Sequence, residues 1–186
     1  MEKKYKLTEE TINVDGRTLY RIEALKDFND AKKGDKGGYI EKEYNLSQVG
    51  DCWVYDYAEV YGNAKVFDNV EVFGNAEIYD DVEVYDDAKV FEDTRICGKA
   101  KIYGEALIYG NAKISGDAKV YDNAEVYGNV KIYGNAMVYG HADVYDNARV
   151  FEDARIYGSA KVYGDARVYG EMEFCDNTIV YWRCGS

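Results

Sequence analysis

The sequence contains no proline and a single histidine among its 186 residues. Proline cannot donate a backbone hydrogen bond to a β-ladder, so its absence is typical of a chain built almost entirely of paired strands. With one histidine, the sequence offers a single candidate for an imidazole general base or an imidazole metal ligand. The cysteines show no CxxC spacing, which predicts free thiols rather than a disulfide framework or a zinc site. They are Cys52, Cys97, Cys175 and Cys184.

Positive charge is also scarce, since the sequence has 23 Lys and Arg but 35 Asp and Glu, which gives a net charge of −12. Residues 1–47 hold ten of each sign, so residues 48–186 carry the entire acidic excess. An acidic body argues against direct binding of nucleic acid, which needs basic side chains for the phosphates. No apolar run is long enough to span a membrane, and the start of the chain does not resemble a signal peptide. We therefore expect a soluble cytoplasmic protein that does not contact membranes.

A six-residue repeat occupies residues 54–179, with twenty-one units and no insertion. The unit reads [Val/Ile]-Tyr-[Gly/Asp]-[Asn/Asp]-Ala-x. Across the unit boundary, small, polar, aliphatic and aromatic residues follow one another, which is the period-two pattern of a half-buried strand. The Gly/Asp and Asn/Asp positions favour a corner, because these residues tolerate the left-handed backbone region. Stacked coils can then bury a core that no single unit could bury.

This repeat resembles that of the hexapeptide-repeat superfamily, in which an aliphatic residue is followed four positions later by a small one. The resemblance implies an all-β fold: a single-stranded, left-handed parallel β-helix with three units per coil and about seven coils. With strands ~4.8 Å apart, such a prism is roughly 34 Å long. One departure is clear, because the residue after the aliphatic one is usually small in that superfamily and here is Tyr or Phe.

The first 47 residues lack the repeat and predict a cap. Residues 11–14 and 17–22 flank Asp15-Gly16, a strong two-residue turn signal for a β-hairpin. We divide the chain into a hairpin cap at 1–47 and a repeat helix at 48–186 that ends in a short C-terminal cap. Residues 25–30, 37–40 and 45–56 resemble the start of the YdcK-like hexapeptide-repeat proteins. That resemblance supports the fold and implies a phage or prophage setting, and it implies no particular reaction.

Eighteen residues per coil would align the aromatic residues in three columns along the prism. Stacked rings would stabilise such columns, and the alternative is a surface that binds a partner or a second copy. The column considered for that role contains Tyr109, Tyr127, Tyr145 and Tyr163. A basic column on one side of the prism is a further candidate for the interaction surface, and it contains Arg95, Lys113, Lys131, Arg149 and Arg167. We expect these cations either to pair with corner carboxylates or to recognise an acidic partner.

Few residues suit catalysis. Many hexapeptide-repeat enzymes transfer acyl groups from coenzyme A with a histidine base, which makes His141 the candidate base by resemblance. His141 occupies a turn position, and no inserted loop walls a cofactor cleft, so we predict no cofactor. Asp80, Asp81, Asp86 and Asp87 are candidate oxygen ligands for Ca²⁺. The two pairs fall on different edges, however, which favours solvated turns.

These observations predict a non-catalytic structural or protein-interaction scaffold that binds a protein partner or associates with itself as a dimer or trimer. Within that class, a rigid acidic rod is suited to inhibiting a host factor by blocking a basic groove. The alternatives are a hexapeptide-type acyltransferase and a self-assembling filament element whose chains stack end to end.

Overall fold

The computed structural model describes residues 2–182, which form a three-sided β-solenoid with a hairpin at its N-terminal end. The hairpin consists of β1 (Tyr5–Val14) and β2 (Arg17–Ala24), which pair in antiparallel fashion. Asp15 and Gly16 between them both have positive φ, so the predicted hairpin is confirmed. β3 (Lys36–Ile40) and a 3-10 turn at Glu43–Asn45 complete the cap.

Short parallel strands then form three faces. The first face continues the sheet of the cap through β5 (Glu59–Val60), β8 (Glu77–Ile78), β11 (Arg95–Ile96), β14 (Lys113–Ile114), β17 (Lys131–Ile132), β20 (Arg149–Val150) and β23 (Arg167–Val168). The second face contains β4 (Trp53–Val54), β7 (Glu71–Val72), β10 (Lys89–Val90), β13 (Leu107–Ile108), β16 (Glu125–Val126), β19 (Asp143–Val144), β22 (Lys161–Gly164) and β25 (Ile179–Trp182). The third face contains β6 (Lys65–Val66), β9 (Glu83–Val84), β12 (Lys101–Ile102), β15 (Lys119–Val120), β18 (Met137–Val138), β21 (Arg155–Ile156) and β24 (Glu173–Phe174).

Each coil of the repeat contains eighteen residues, as the hexads predict, since Lys113 stands beside Lys131 in parallel register. The second face has eight strands, so the solenoid makes about eight turns rather than seven. The additional turn comes from the cap, because β3 already pairs with β5 in parallel and Leu46 forms a bridge to Val66. The sheet therefore runs continuously across the predicted boundary at residue 47. This stack of three parallel sheets is the arrangement expected of a left-handed β-helix.

The core is filled by two residues of each unit, the aliphatic one and the small one. Ala112 and Ile114, for example, are completely buried, and other coils repeat the pattern. Full burial of an aliphatic side chain stabilises a fold by about 1.5–3 kcal/mol. Cys52 takes a small inward position at the cap and is buried, as predicted. Cys184, which we also predict to face inward, lies outside the described residues.

Two glycines at the cap are required by packing. Gly37 and Gly38 are buried within β3, and a Cβ atom on either would collide with the backbone carbonyl of Val54 or Ala58. The glycine-rich segment therefore allows the cap strand to approach the first coil closely.

The corners are held together by carboxylates. The residue after each aromatic position has positive φ and is Gly, Asp or Glu, as in Asp146 (φ 60°) and Glu152 (φ 61°). Such a carboxylate accepts a hydrogen bond from the backbone N–H at the same position of the next coil. Gly164 N donates to Asp146 Oδ2 at 3.2 Å, and Gly170 N donates to Glu152 Oε2 at 2.8 Å. Corner acids thus satisfy backbone donors that would otherwise lack a partner.

Across residues 2–182, no helix is both long and apolar enough to cross a membrane.

Candidate interaction surface

The first face carries five cations on successive strands. Their backbones stand in parallel register, each beside the next, and all five side chains are exposed. At ~4.8 Å between strands, the column extends over about 19 Å. The structure therefore places Arg95, Lys113, Lys131, Arg149 and Arg167 in one column, as the eighteen-residue period predicts.

Most of this basic column lacks a counter-charge. Arg95 pairs with Glu77 of the preceding strand, with 2.8 Å between Nη2 and Oε1. The four cations that follow it make no salt bridge within residues 2–182, so the expected pairing with corner carboxylates is wrong for them. The reason is that the corner acids accept hydrogen bonds from the backbone and from asparagines of adjacent coils. Asn135 Nδ2, for example, donates to Asp153 Oδ1 at 2.9 Å.

On the other two faces, most strand cations form salt bridges. Lys89 Nζ lies 2.7 Å from Glu71 Oε2 on the second face, and Lys161 Nζ lies 2.7 Å from Asp143 Oδ2. Within residues 2–182, these are the only cations on strand positions of that face. On the third face, Lys65, Lys101 and Arg155 also have carboxylate partners, and within the described chain only Lys119 does not. The unpaired cations are therefore concentrated on the first face.

Stacked aromatic columns follow all three faces, as predicted. In all but one of the aromatic pairs between successive coils within residues 2–182, the ring centroids lie 4.7–5.5 Å apart and the ring planes are within 15° of parallel. The exception is the pair of Tyr55 and Phe73, which meet edge to face at 6.4 Å. Each offset-stacked pair contributes about 0.5–1.5 kcal/mol beyond its buried area. The columns therefore stabilise the stack of coils.

The tyrosine column chosen from the sequence belongs to the second face. Its four rings, those of Tyr109, Tyr127, Tyr145 and Tyr163, are half-buried and follow second-face strands. Burial, with the neighbouring Tyr109 phenol and the Asp143 carboxylate, raises the pKa of Tyr127 to about 12. The structure does not bring this column together with the basic column.

A different set of aromatic residues borders the basic column. Tyr133, Phe151 and Tyr169 directly follow the strands that carry Lys131, Arg149 and Arg167, and they stack at 5.0 and 5.4 Å. Tyr133 is 37% exposed and Tyr169 is 46% exposed, more than the rings of the second-face column. The signal was present in the sequence, because each of these rings lies two residues after a cation of the column.

His141 lies at an exposed corner, and its backbone N–H donates to Gly158 O at 2.7 Å. The same corner position is Asn123 in the preceding coil and Ser159 in the following one. Neither is a carboxylate that could orient the imidazole as a base. The structure therefore places His141 where the repeat usually has asparagine.

The four candidate calcium ligands are engaged in holding coils together. Asp80 and Asp86 accept hydrogen bonds from the backbone N–H groups of Gly98 and Gly104, at 3.0 and 3.1 Å. Asp81 and Asp87 each accept one from an asparagine Nδ2 at 3.0 Å. Residues 2–182 contain no group of three or more His, Cys, Asp or Glu arranged to hold a metal ion.

A cavity of about 750 Å³ lies between the hairpin tip and the first face, beside the N-terminal end of the basic column. Asp15, Arg17, Glu59, Glu77 and Arg95 are among the residues that line it. Burial raises the pKa of Glu59, and the adjacent Glu77 carboxylate adds to that shift. Sequence reasoning did not anticipate this cavity, because the position of the hairpin tip depends on packing between distant segments.

Sequence reasoning also missed a buried lysine. Lys4 is 1% exposed, and its Nζ donates to Cys52 O at 2.8 Å and to Gly50 O at 3.2 Å. The same nitrogen lies 3.3 Å from Cys52 Sγ and 5.0 Å from the centre of the Phe28 ring. Burial lowers the pKa of Lys4 and raises the pKa of the Cys52 thiol.

Comparison with known proteins agrees with this architecture. No family model matches the chain. The chain is similar to the "Uncharacterized acetyltransferase YdcK" of Escherichia coli (strain K12), with 42% identity over 62 residues. Together with the stacked coils, this similarity fits a hexapeptide-repeat β-helix fold. The match covers 29% of this chain and 19% of that relative, so the chain corresponds to about a fifth of the relative's length. The phage setting stays a prediction.

Proposed function

We propose that this protein is a rigid, non-catalytic interaction scaffold whose first face binds an acidic segment of a protein partner. One observation carries the proposal: four exposed cations stand in register without a counter-charge in a chain of net charge −12. Carboxylates outnumber cations in this sequence, and the second face pairs both of its strand cations. Composition alone therefore does not account for four neighbouring cations that stay unpaired.

The shape of the column defines the segment that fits it. An extended chain spans at most ~3.3–3.6 Å per residue, so about six residues would cover the column of about 19 Å. Arginine can hold a carboxylate through two parallel hydrogen bonds, which suits Arg149 and Arg167. Exposed tyrosines often anchor interfaces, and Tyr133 and Tyr169 border the column. An extended segment rich in Asp and Glu with an apolar residue is therefore the expected ligand.

The direct test is a binding titration with a fluorescently labelled oligoglutamate peptide. We expect replacement of Lys113, Lys131, Arg149 and Arg167 by glutamine to weaken binding by about tenfold or more, because charge complementarity is lost. The matched control replaces Lys65, Lys89, Lys101 and Lys161 on the other two faces, which changes the net charge equally. We expect that control to bind like the unmodified protein. Equal losses in both variants would contradict a specific first-face site.

A second candidate function comes from the relative's name, which describes an acetyltransferase. For this chain, that activity would require coenzyme A and a base, and His141 is the only histidine available. Calorimetric titration with coenzyme A, and acyl-transfer assays of a His141→Ala variant, test it. Loss of a measurable transfer activity in His141→Ala would establish the enzyme and overturn the scaffold proposal.

The acidic remainder of the surface supports a further role within the scaffold class, the blocking of a basic groove on a host factor. This interaction would not use the basic column. Capture of a basic protein that the first-face glutamine variant still binds at low salt would favour this role. A change in sedimentation caused by the same variant would instead identify the first face as a contact between two copies of this chain.

A further inference from the structure

We propose that Lys4 and Cys52 form an oxidation-dependent covalent bridge, a sulfenamide between Nζ and Sγ, that ties the N-terminal segment to the first coil. The two atoms lie 3.3 Å apart although their residues are 48 positions apart in sequence. Both side chains are buried. The fold therefore holds the amine against the thiol in the packed interior, at the junction between cap and helix.

The surroundings of Lys4 fix its amine against the sulfur. A buried lysine is normally paired with a carboxylate, yet Lys4 makes no salt bridge within residues 2–182. Its nitrogen is held by the carbonyl oxygens of Gly50 and Cys52 and lies over the Phe28 ring. These contacts hold the nitrogen 3.3 Å from Sγ. The carbonyl oxygens, the sulfur and the aromatic ring take the place of the usual carboxylate, and together they hold the amine beside the thiol.

The proposed reaction uses a peroxide as oxidant. Hydrogen peroxide converts the Cys52 thiol to a sulfenic acid and releases one water. The lone pair of Lys4 Nζ then attacks the sulfur, the S–O bond breaks, and the hydroxyl leaves as a second water with a proton from the nitrogen. One thiol, one amine and one peroxide thus give one sulfenamide and two waters. Added dithiol reverses the reaction and restores the thiol and the amine.

The directions of the pKa shifts at Lys4 and Cys52 predict that the bridge forms slowly. Burial lowers the pKa of Lys4, which favours the neutral amine that the attack needs. Burial also raises the pKa of Cys52, so little thiolate is present and oxidation is slow. Gly50 and Asp51, in the loop that covers the thiol, are exposed, so local opening of this loop admits peroxide. We therefore expect the bridge to form under sustained exposure to peroxide.

Mass spectrometry of peroxide-treated protein tests the proposal. The starting protein carries serine at Cys97, Cys175 and Cys184, so that Cys52 is the only thiol. We expect the native protein to lose two hydrogens, to yield a joined peptide pair containing Lys4 and Cys52, and to recover its mass with dithiothreitol. The midpoint of thermal unfolding should rise on bridging, because the cross-link restricts the unfolded chain.

Two variants serve as controls. Cys52→Ala places the residue that fills the small inward position in most other coils, so it should fold and form no bridge. Lys4→Arg retains the positive charge and should leave Cys52 at the sulfenic or sulfinic acid. The proposal is overturned if the protein with Lys4 also gains only oxygen at Cys52 without a joined peptide. It is equally overturned if Cys52 stays unmodified while the protein remains folded.

Discussion

The first and second faces share the same core and the same strand register, yet they arrange their charges in opposite ways. On the second face, Lys89 and Lys161 each have a carboxylate on the preceding strand. On the first face, Lys113, Lys131 and their neighbours repeat the same sign on adjacent strands. Two unit charges ~4.8 Å apart repel by about 1 kcal/mol in water. The first face therefore carries the electrostatic penalty of a run of like-charged cations, whereas the second face has like charges side by side only at Glu125 and Asp143.

This difference separates the residues that build the solenoid from those that we propose to face a partner. The inward aliphatic residues, the corner carboxylates and the aromatic columns recur on every side and hold the coils together. The basic column lowers stability, and a stability argument gives no reason for it. A penalty of this kind is typical of binding sites, where residues are arranged for a ligand rather than for the fold.

The largest expected effect tests whether the two faces really share one scaffold. Ile114→Ala beneath the first face and Ile108→Ala beneath the second should each lower the free energy of unfolding by about 2–5 kcal/mol, because each leaves a cavity in a closed core. Urea denaturation measures both. A loss on one face several times that on the other would show that the faces are not equivalent in their packing.

The aromatic columns should make the protein sensitive to alkali. Burial raises the pKa values of Tyr79, Tyr103 and Tyr127, one from each column, to about 12, from an ordinary value of 10.0. A raised folded-state pKa contributes stability that is fully present below pH 10 and is lost as pH rises through about 12.

Ultraviolet titration of tyrosinate, followed together with circular dichroism, measures this effect. We expect part of the tyrosine absorbance to appear only when the β signal is lost. Complete titration near pH 10 with the β signal intact would contradict the raised pKa values.

The smallest expected effect on the free energy of unfolding comes from reversing one strand charge on each face. Lys131→Glu on the first face replaces two repulsions with two attractions and should raise the free energy of unfolding by about 0.5 kcal/mol. Lys89→Glu on the second face loses its partner Glu71 and should lower it by about the same amount. Denaturation at low salt shows both changes, and high salt should reduce them. Changes of the same sign in the two variants would remove the contrast between the faces.

Much of the fold could be predicted because the repeat defines which residues are neighbours. A period of eighteen residues places Glu77 beside Arg95 and Lys113 beside Lys131, so the columns and their register follow from the sequence. The corners follow too, since Gly and Asp at one fixed position indicate the left-handed backbone region.

Other features could not be predicted because they depend on choices between competing partners. A corner carboxylate can pair with a cation or accept a backbone hydrogen bond, and no local pattern in the sequence distinguishes the two outcomes. The contact between Lys4 and Cys52, like the cavity beneath the hairpin tip, joins segments outside the repeat, where no period assigns neighbours. The sequence gives the tyrosine column and the basic column as separate candidates, and the structure places them on different faces.

The most direct test of the account is a residue-by-residue footprint of the basic column. An amine-reactive acetylating reagent modifies exposed lysines, and mass spectrometry reports the modification rate at each one with and without an oligoglutamate peptide. We expect the peptide to slow modification of Lys113 and Lys131 several-fold and to leave the modification rates of Lys89 and Lys101 unchanged. Equal protection of all four lysines, or none at Lys113 and Lys131, would contradict a binding site on the first face.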